Sequence, residues 1–432
     1  MKGKFKESEV GLIPEDWELK TIDKLISEGL IIEHLDGNHG ELYPRSQEFV
    51  SEGVPFVGAT DFEGNRINFN ECKKLTPERV GKFRKGFLRN NDILFAHNAT
   101  VGPVALFNHP SNYGVCSTTV TCFRINNSKL RYKYFFYNLK STYFINQYKP
   151  VMYQSTRMQV PILTQRKFYI PLPPTLDEQE AIATVLSDTD AWLESLEAQI
   201  EKKKLIKQGT MQELLTGKRR LPGFGEGKGW KDSEVGLIPE DWEVKRLGDV
   251  AIMYSGGTPN TSNPNYYNGH INWITSSDLN KYHIKDVEGR ISNLGYENSA
   301  CKMVTPGTVL VALYGATAGV TAISFITSAI NQAVLAILIK NKSSKFLFYK
   351  LTLMKRYILS TFLQGGQGNL SSEIYKDLDC SFPENLLEQE AIANVLSEMD
   401  EEIEVLEQKV EKAKGIKQGL MQVLLTGKIR LV

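Results

Sequence analysis

The stretch Glu178–Arg220, EQEAIATVLSDTDAWLESLEAQIEKKKLIKQGTMQELLTGKRR, returns as Glu388–Arg430, EQEAIANVLSEMDEEIEVLEQKVEKAKGIKQGLMQVLLTGKIR. A chain that carries one long helical pattern twice is restricted in what it can fold into. In the second copy Ile392, Val395, Leu396, Met399, Ile403, Leu406, Val410 and Ala413 keep a three-to-four rhythm, with Glu and Lys between them. A stripe that narrow seats a helix against another of its kind; it does not bury one in a globular core. The other copy is the natural partner, and Leu196, Ile200, Met399, Ile403, Leu406 and Val410 are the candidates for the pairing seam. Each helix of about 40 residues runs roughly 60 Å at 1.5 Å per residue. The pair reads as two struts that hold two other bodies a set distance apart.

A second repeat flanks the first. Ser8–Lys20, SEVGLIPEDWELK, recurs as Ser233–Lys245, SEVGLIPEDWEVK, so the chain is a tandem duplication. Leu221–Lys231, LPGFGEGKGWK, is a glycine-rich linker between the halves. Between box and strut the halves diverge, but Ile93–Ala105, ILFAHNATVGPVA, matches Leu310–Ala322, LVALYGATAGVTA. The shared A-T-x-G-x-x-A predicts a strand, a tight glycine turn and a strand. Val120–Ile125 and Ala333–Ile339 read as further strands, Leu130–Tyr148 and Phe346–Phe362 as helices. Each intervening region is therefore a mixed α/β domain. Pro171, Pro173 and Pro174, and Pro383 in the second half, read as a hinge that ends local structure before each strut. Gly217 and Gly427, in LLTG, stand where a left-handed helix cap belongs. Gly209 and Gly419 fall inside the struts, which predicts either a close helix crossing at KQG-x-M-Q or a break.

At 432 residues the chain exceeds what one core supports, so two or more domains are expected. MKGKFKESEV lacks the apolar core of a signal peptide, and the apolar run Val304–Lys340 is interrupted by Pro306, Gly307, Gly315, Gly319 and Asn331. Cys72, Cys116, Cys122, Cys301 and Cys380 are widely spaced and form no metal-ligand pattern with the six histidines, which points to reduced thiols and a cytoplasmic protein. The net charge of +1 conceals an uneven distribution. No Asp or Glu occurs from Ile93 to Thr175 or from Asn298 to Ser372, whereas Arg and Lys are frequent there. Two acid-free cationic segments, each followed by an acid-rich helix front, suggest two surfaces for a polyanion.

No GxxxxGK[ST] loop is present for ATP, and no glycine-rich strand-to-helix loop for a dinucleotide or methyl donor. No Ser/His/Asp or Cys/His set can be argued. Glu18-Leu19-Lys20 and Glu243-Val244-Lys245 have the E-x-K form of a metal-dependent nuclease, but such a site also needs a separately placed acidic ligand and usually stands on a core strand. The chain reads as non-catalytic, with no metal and no cofactor of its own. A stand-alone nuclease and a protein-only coiled-coil scaffold are the alternative classes. What the variable regions offer is hydrogen-bonding and stacking groups on glycine-punctuated loops. In the first half these are His97, Asn98, Thr100, Ser117, Thr118, Tyr153, Gln154, Ser155 and Arg157, with Lys133 as a phosphate contact. In the second they are Gly256, Gly257, Thr258, Tyr314, Thr317, Asn331, Gln332, Gln364, Gln367 and Asn369. Amides read adenine edges, arginine reads guanine, and hydroxyls and backbone amides position phosphates.

Taken together, the box GLIPEDWE-[LV]-K, the ILFAHNATVGPVA stretch, Ser255–Leu279 (SGGTPNTSNPNYYNGHINWITSSDL) and the EQEAI…IKQGxMQxLLTGK helices resemble the specificity subunit of type I restriction–modification systems. The resemblance covers essentially the whole chain in order. It implies an α+β fold: two mixed α/β target recognition domains separated by two long antiparallel helices that form a coiled coil. On that plan residues 1–175 are the first recognition domain, 176–220 the first spacer helix, 221–232 the linker, 233–385 the second domain and 386–432 the second helix. The resemblance further implies that each domain reads one half of an asymmetric, two-part sequence in double-stranded DNA. Two modification subunits would methylate adenine N6 with S-adenosylmethionine, and two restriction subunits would use ATP and magnesium, all in a prokaryotic cytoplasm. The first domain departs from the pattern at its opening, where Leu35–Arg45, LDGNHGELYPR, replaces Gly-Gly-Thr-Pro.

Overall fold

The computed structural model describes residues 4–153, 158–363 and 369–431. The chain divides into two compact units, residues 1–197 with 408–432, and residues 198–407. The elements that position the site are strands β1 (Ile31–Asp36), β2 (Ile93–Asn98), β3 (Thr100–Leu106) and β4 (Val120–Ile125), and helices α1 (Tyr132–Leu139), α2 (Thr142–Met152) and α3 (Leu176–Leu214). They are followed by β5 (Ala251–Ser255), β6 (Val309–Ala312), β7 (Thr321–Ser324), β8 (Val334–Ile339), α4 (Ser344–Phe362) and α5 (Leu386–Leu424).

In the first unit the sheet order is β3-β2-β4-β1, antiparallel throughout. Side chains alternate across β2 as period two requires. Ile93 and Phe95 join a core with Phe123, Tyr134, Phe135 and Phe144, while Leu94 and Ala96 join another with Phe107 and Cys122. The second unit repeats this order with β5-β8-β6-β7 and adds a fifth, two-residue strand, His283–Ile284, parallel to β7. Val309 and Val311 face one core, Leu310 and Ala312 the other. Both faces of each central strand are buried, which accounts for the unbroken apolar runs. The expected single helix Leu130–Tyr148 is two: Ser141 interrupts it by capping α2, its hydroxyl accepting from Phe144 N at 3.2 Å. Its counterpart α4 is continuous.

The turn between β2 and β3 is made by Ala99, at φ 65°, and not by glycine; Gly102, at φ +117°, lies within β3, opposite a register shift in β2. In the second unit β6 and β7 are linked by an eight-residue excursion, 313–320, containing a short 3-10 turn at Gly315–Thr317. The proline stretch is likewise not a hinge. Tyr169–Leu172, with Pro171 inside it, is a strand paired antiparallel with Glu18–Thr21, and Asp379–Pro383 pairs the same way with Trp242–Arg246. Proline is tolerated because each of these sheets has only two strands.

α3 and α5 are unbroken helices of 39 residues each, about 58 Å long. The boundary between the compact units falls within both of them. The front of α3 (Ile182, Ala183, Leu186) and the end of α5 (Leu424, Leu425) share the first core with Trp17. The front of α5 (Ile392, Ala393, Leu396) and the end of α3 (Met211, Leu214, Leu215) share the second with Trp242. Within the first unit Asp190 pairs with Lys417 and Glu178 with Arg430; within the second Lys207 pairs with Asp400 and Lys203 with Glu402. In each case one number rises as the other falls, so the segments run antiparallel. Leu196, Ile200, Ile403, Leu406 and Val410 are buried, and Met399 packs against the second core. Gly209 and Gly419 neither break the helices nor mark a crossing: a Cβ at either would meet nothing within 4 Å. Gly217 and Gly427 are left-handed at φ +73° and +67°, and each is also tight, a Cβ falling 2.5 Å from Pro239 and 2.4 Å from Pro14. The LLTG end therefore packs on the proline of the GLIPEDWE box.

Candidate nucleic-acid interface

The sheet connections bring three loops together at one end of each sheet. In the first unit β1 ends at Asp36 opposite Thr121, β4 begins at Val120 opposite Ala96, and β2 turns into β3 at Asn98–Thr100. Gly37, Ser117–Thr119 and Asn98–Thr100 thus form one rim. In the second unit the matching strand ends place Gly256–Thr258, Asn331–Gln332 and Tyr314–Thr317 together. The openings of the two domains correspond despite their different sequences. Gly37 N donates to Ser117 O and Gly256 N to Asn331 O, both at 3.2 Å. A Cβ at Gly37 would lie 2.2 Å from Cys116 O, and one at Gly256 1.8 Å from Ile330 O. Glycine is required at both because backbone rests on backbone.

The candidates divide by exposure. Thr100, Thr258 and Gln332 are exposed on the rim, and Asn98, Thr118, Tyr314 and Thr317 are half-exposed there. Asn369 is exposed and bridges to Tyr314, as Gln159 bridges to Asn98. Tyr153, 64% exposed, ends α2. His97, Ser117 and Asn331 point inward and are buried. Burial pushes the His97 imidazole down to about 4, leaving it neutral with Nδ1 2.9 Å from Thr121 Oγ1. Gln165, fully buried and absent from the sequence-based candidates, donates to Thr121 Oγ1 and Val160 O at 2.9 Å and takes His34 Nε2 at 3.2 Å. These are supports for the rim and not part of its surface. The Ser117 hydroxyl is spent on Thr119 at 2.6 Å. Lys133 stands on the first turn of α1, after the far end of β4 from the rim, so the fold does not bring it to the other candidates. Gln154, Ser155, Arg157, Gln364 and Gln367 lie outside the described residues.

Sequence reasoning missed His39 and Lys85. Both hydrogen-bond the buried Asp36 carboxylate beside Gly37, and His39 is exposed. Burial alone would raise the Asp36 carboxyl, but Lys85 and His39 outweigh it and hold the group below its ordinary value. The Asp36-x-x-His39 spacing was the available signal.

Charge segregation in sequence is not segregation in space. Arg124, from the first acid-free segment, is held by Asp92 and Glu33; Arg131 pairs with Glu180 and Lys342 with Glu243. Lys133, Lys149, Lys167, Lys355 and Arg356 make no ion pair among the described residues. Matching acids of the two helix fronts are engaged as well: Tyr137 donates to Asp190 at 2.8 Å and Tyr349 to Asp400 at 2.7 Å, each carboxylate also taking a lysine of the opposite strut. The E-x-K pairs are neutralised locally. Lys20 lies 2.7 Å from both Glu18 and Glu28, and Glu243 sits between Lys245 and Lys342. Among the described residues no three potential metal ligands cluster, and no helix is long and apolar enough to cross a membrane.

A duplicated α/β body with a variable rim on repeated helices defines a class of sequence-reading proteins, and comparison with known proteins agrees. The model of the type I restriction modification DNA specificity domain matches residues 14–205 and again 239–414. The chain belongs to that family: it is a specificity subunit of a type I restriction–modification system, the DNA-recognition subunit and not a catalytic one. It is 29% identical over 444 residues to the MjaX specificity subunit of Methanocaldococcus jannaschii, covering 99% of this chain and 97% of that one. It is 28% identical over 457 residues to the type I restriction enzyme MjaVIII specificity subunit of the same organism, covering 99% and 96%. The crystal structure of the type I S subunit from M. genitalium shares the fold, with a TM-score of 0.58 at 16% identity over 94% of this chain and 96% of that one.

Proposed function

We propose that each unit reads one half of an interrupted, asymmetric duplex sequence through its rim, and that α3 and α5 set the spacer between the halves. The observation that carries this is the pair of corresponding rims with unlike side chains: His39, Thr100 and Thr118 on one, Thr258, Tyr314 and Gln332 on the other. Corresponding scaffolds with different exposed donors and acceptors suit two different base sequences. The test is domain exchange. Replacing Leu35–Pro171 with the corresponding stretch of another family member should change one half of the methylated sequence and leave the other half and the spacer as they were. Methylome sequencing that finds both halves altered would refute it.

The repeated KQG-x-M-Q faces are the docking sites for two modification subunits in this reading. Gly209 and Gly419 are open. Beside them lie grooves of about 680 Å³, with Gln208, Met211, Lys355 and Arg356, and about 650 Å³, with Lys140, Lys428, Gln418 and Met421; neither is lined by a carboxylate. Methyl transfer from S-adenosylmethionine and the ATP- and magnesium-dependent steps belong to the modification and restriction subunits, in the cytoplasm where the DNA is. This chain supplies position and sequence choice.

A further inference from the structure

Two carboxylates at the front of each strut receive side chains from the variable region. Asp190 and Asp400, and likewise Glu194 and Glu404, hold the same places in the two copies of the helix. In the first unit Arg66 Nη2 meets Glu194 Oε2 at 2.5 Å, and Asn65 Nδ2 donates to Asp190 Oδ2 at 2.7 Å. In the second, Lys285 Nζ donates to Glu404 Oε2 at 2.9 Å, and His283 Nε2 stands 3.9 Å from Asp400 Oδ2. The segments that supply these groups are unlike. Asn65 and Arg66 belong to a hairpin, Phe62–Glu63 paired antiparallel with Arg66–Ile67, whereas Lys285 follows the strand His283–Ile284, parallel to β7. Each segment is anchored by one isoleucine. Ile67 is buried in the core with Leu94 and Phe107, and Ile284 in the core with Leu310 and Ala312. These cores lie on the sheet faces opposite the ones that the struts join.

Sheet and strut are therefore tied twice within each unit. One tie is the core they share; the other is an arm from the opposite core that reaches the strut directly. A single attachment leaves a pivot, and a second one at a distance removes it. An exposed ion pair contributes little to stability, so stability alone does not account for two unlike segments meeting the same two acids. We propose that Arg66 and Lys285 are positioning residues: through Glu194 and Glu404, each holds the rim of its own unit at one attitude on the strut and so restricts the spacer that the protein accepts. Neither reads a base. The inference rests on the two-half reading above and adds what keeps the spacer to one length.

The experiment uses the full chain reconstituted with its modification subunits. It methylates a duplex library that carries the wild type's two half-sites with spacers from two base pairs shorter to two longer, and the methylated products are sequenced. Arg66→Ala combined with Lys285→Ala should raise methylation at spacers one base pair off, relative to the native spacer, by about two- to fivefold, the range that exposed ion pairs allow. A second library, randomised over both half-sites, should return the same bases as the wild type. Arg66→Glu alone should broaden the spacer likewise, and adding Glu194→Arg should narrow it again. Both basic side chains are exposed, so the fold is not at stake, and an unchanged melting temperature would verify this. The proposal is overturned by an unchanged spacer profile in the double variant, by methylation lost evenly at every spacer, by altered bases in either half, or by broadening that the exchanged pair does not reverse. A wild-type complex that selects no two-part sequence, or that accepts every spacer alike, fails the underlying reading instead.

Discussion

Arg220 grips Glu388 across 168 residues of sequence, Nη2 to Oε2 at 2.7 Å and Nε to Oε1 at 2.5 Å. The same guanidinium meets both oxygens of Asp241 at 2.8 and 2.9 Å and lies over the Trp242 ring at 5.8 Å. The first unit repeats the trio with Arg430, Asp16 and Glu178, the guanidinium over Trp17. This explains three separate repeats at once: the Arg two positions after LLTGK, the Asp of PEDW and the first Glu of EQEAI are one lock. It ties the end of one strut to the front of the other and to the box between them.

Removing the arginine should leave a nearly fully buried carboxylate unpaired, since Glu388 is 1% exposed. Arg220→Ala should cost about 3–5 kcal/mol, because breaking a buried pair leaves one charge stranded. Arg220→Lys should recover only part, lacking the planar fork, and Glu388→Gln should cost less than Arg220→Ala. Denaturant unfolding followed by tryptophan emission measures this; equal stability of the wild type and Arg220→Ala would show that the lock is not holding.

Lys350 gives a dependence on pH. It is buried with no carboxylate partner among the described residues, its ammonium donating to Leu215 O at 2.8 Å and Ser381 Oγ at 2.7 Å. Burial pushes it down to about 8 from 10.5. The folded value lies below the unfolded one, so between them the unfolded chain holds the proton more tightly, and stability rises with pH across that window. Below pH 8 both states are charged and the burial cost is complete. The stability of the wild type minus that of Lys350→Met should therefore grow by ~2–3 kcal/mol from pH 8 to 10.5. A difference that stays flat would mean the amine is already solvated.

Gly209 and Gly419 offer a test of whether the open helix faces are functional. A methyl there meets no atom within 4 Å among the described residues, so Gly209→Ala and Gly419→Ala should each stabilise the isolated protein by up to ~1 kcal/mol through helix propensity. If modification subunits pack on these faces, the same methyls should weaken assembly. Thermal melts of the free chain and native mass spectrometry of the complex read the two effects separately. Higher stability with undiminished uptake of both subunits would place the docking surface elsewhere.

The duplication, the struts and the strand pattern around Ile93–Ala105 were legible because they rest on periodicity and on repeated strings. The Arg220 lock was not, because nothing local says which of many surface charges will meet 168 residues away. The acid-free segments misled for the same reason: Arg124 reads as free cation until β1 and the residue before β2 bring Glu33 and Asp92 beside it. On the rim, His97 and Ser117 carried the right chemistry at the right strand ends, yet the alternation of side chains turned them inward. Pro171 read as a hinge because a two-stranded ladder that tolerates proline leaves no periodic signal.

The unit boundary follows Glu197 in α3 and Glu407 in α5. These positions are matched: each separates the front of a helix, committed to one core, from an end committed to the other. An insertion there leaves every residue of both cores and both locks in its own unit. One added helical turn of four residues in each helix, after Ala198 and after Gln408, lengthens each by about 6 Å, close to two base-pair steps. Because four residues nearly complete one turn, the buried stripe through Leu196, Ile200, Leu406 and Val410 keeps its facing. The double insertion should therefore lengthen the spacer of the methylated sequence by one or two base pairs and leave both half-sites intact, whereas an insertion in one helix alone should mismatch the stripe and abolish methylation. Methylome sequencing of cells carrying each variant decides it: half-sites that change while the spacer stays fixed would mean that the helices do not measure the distance.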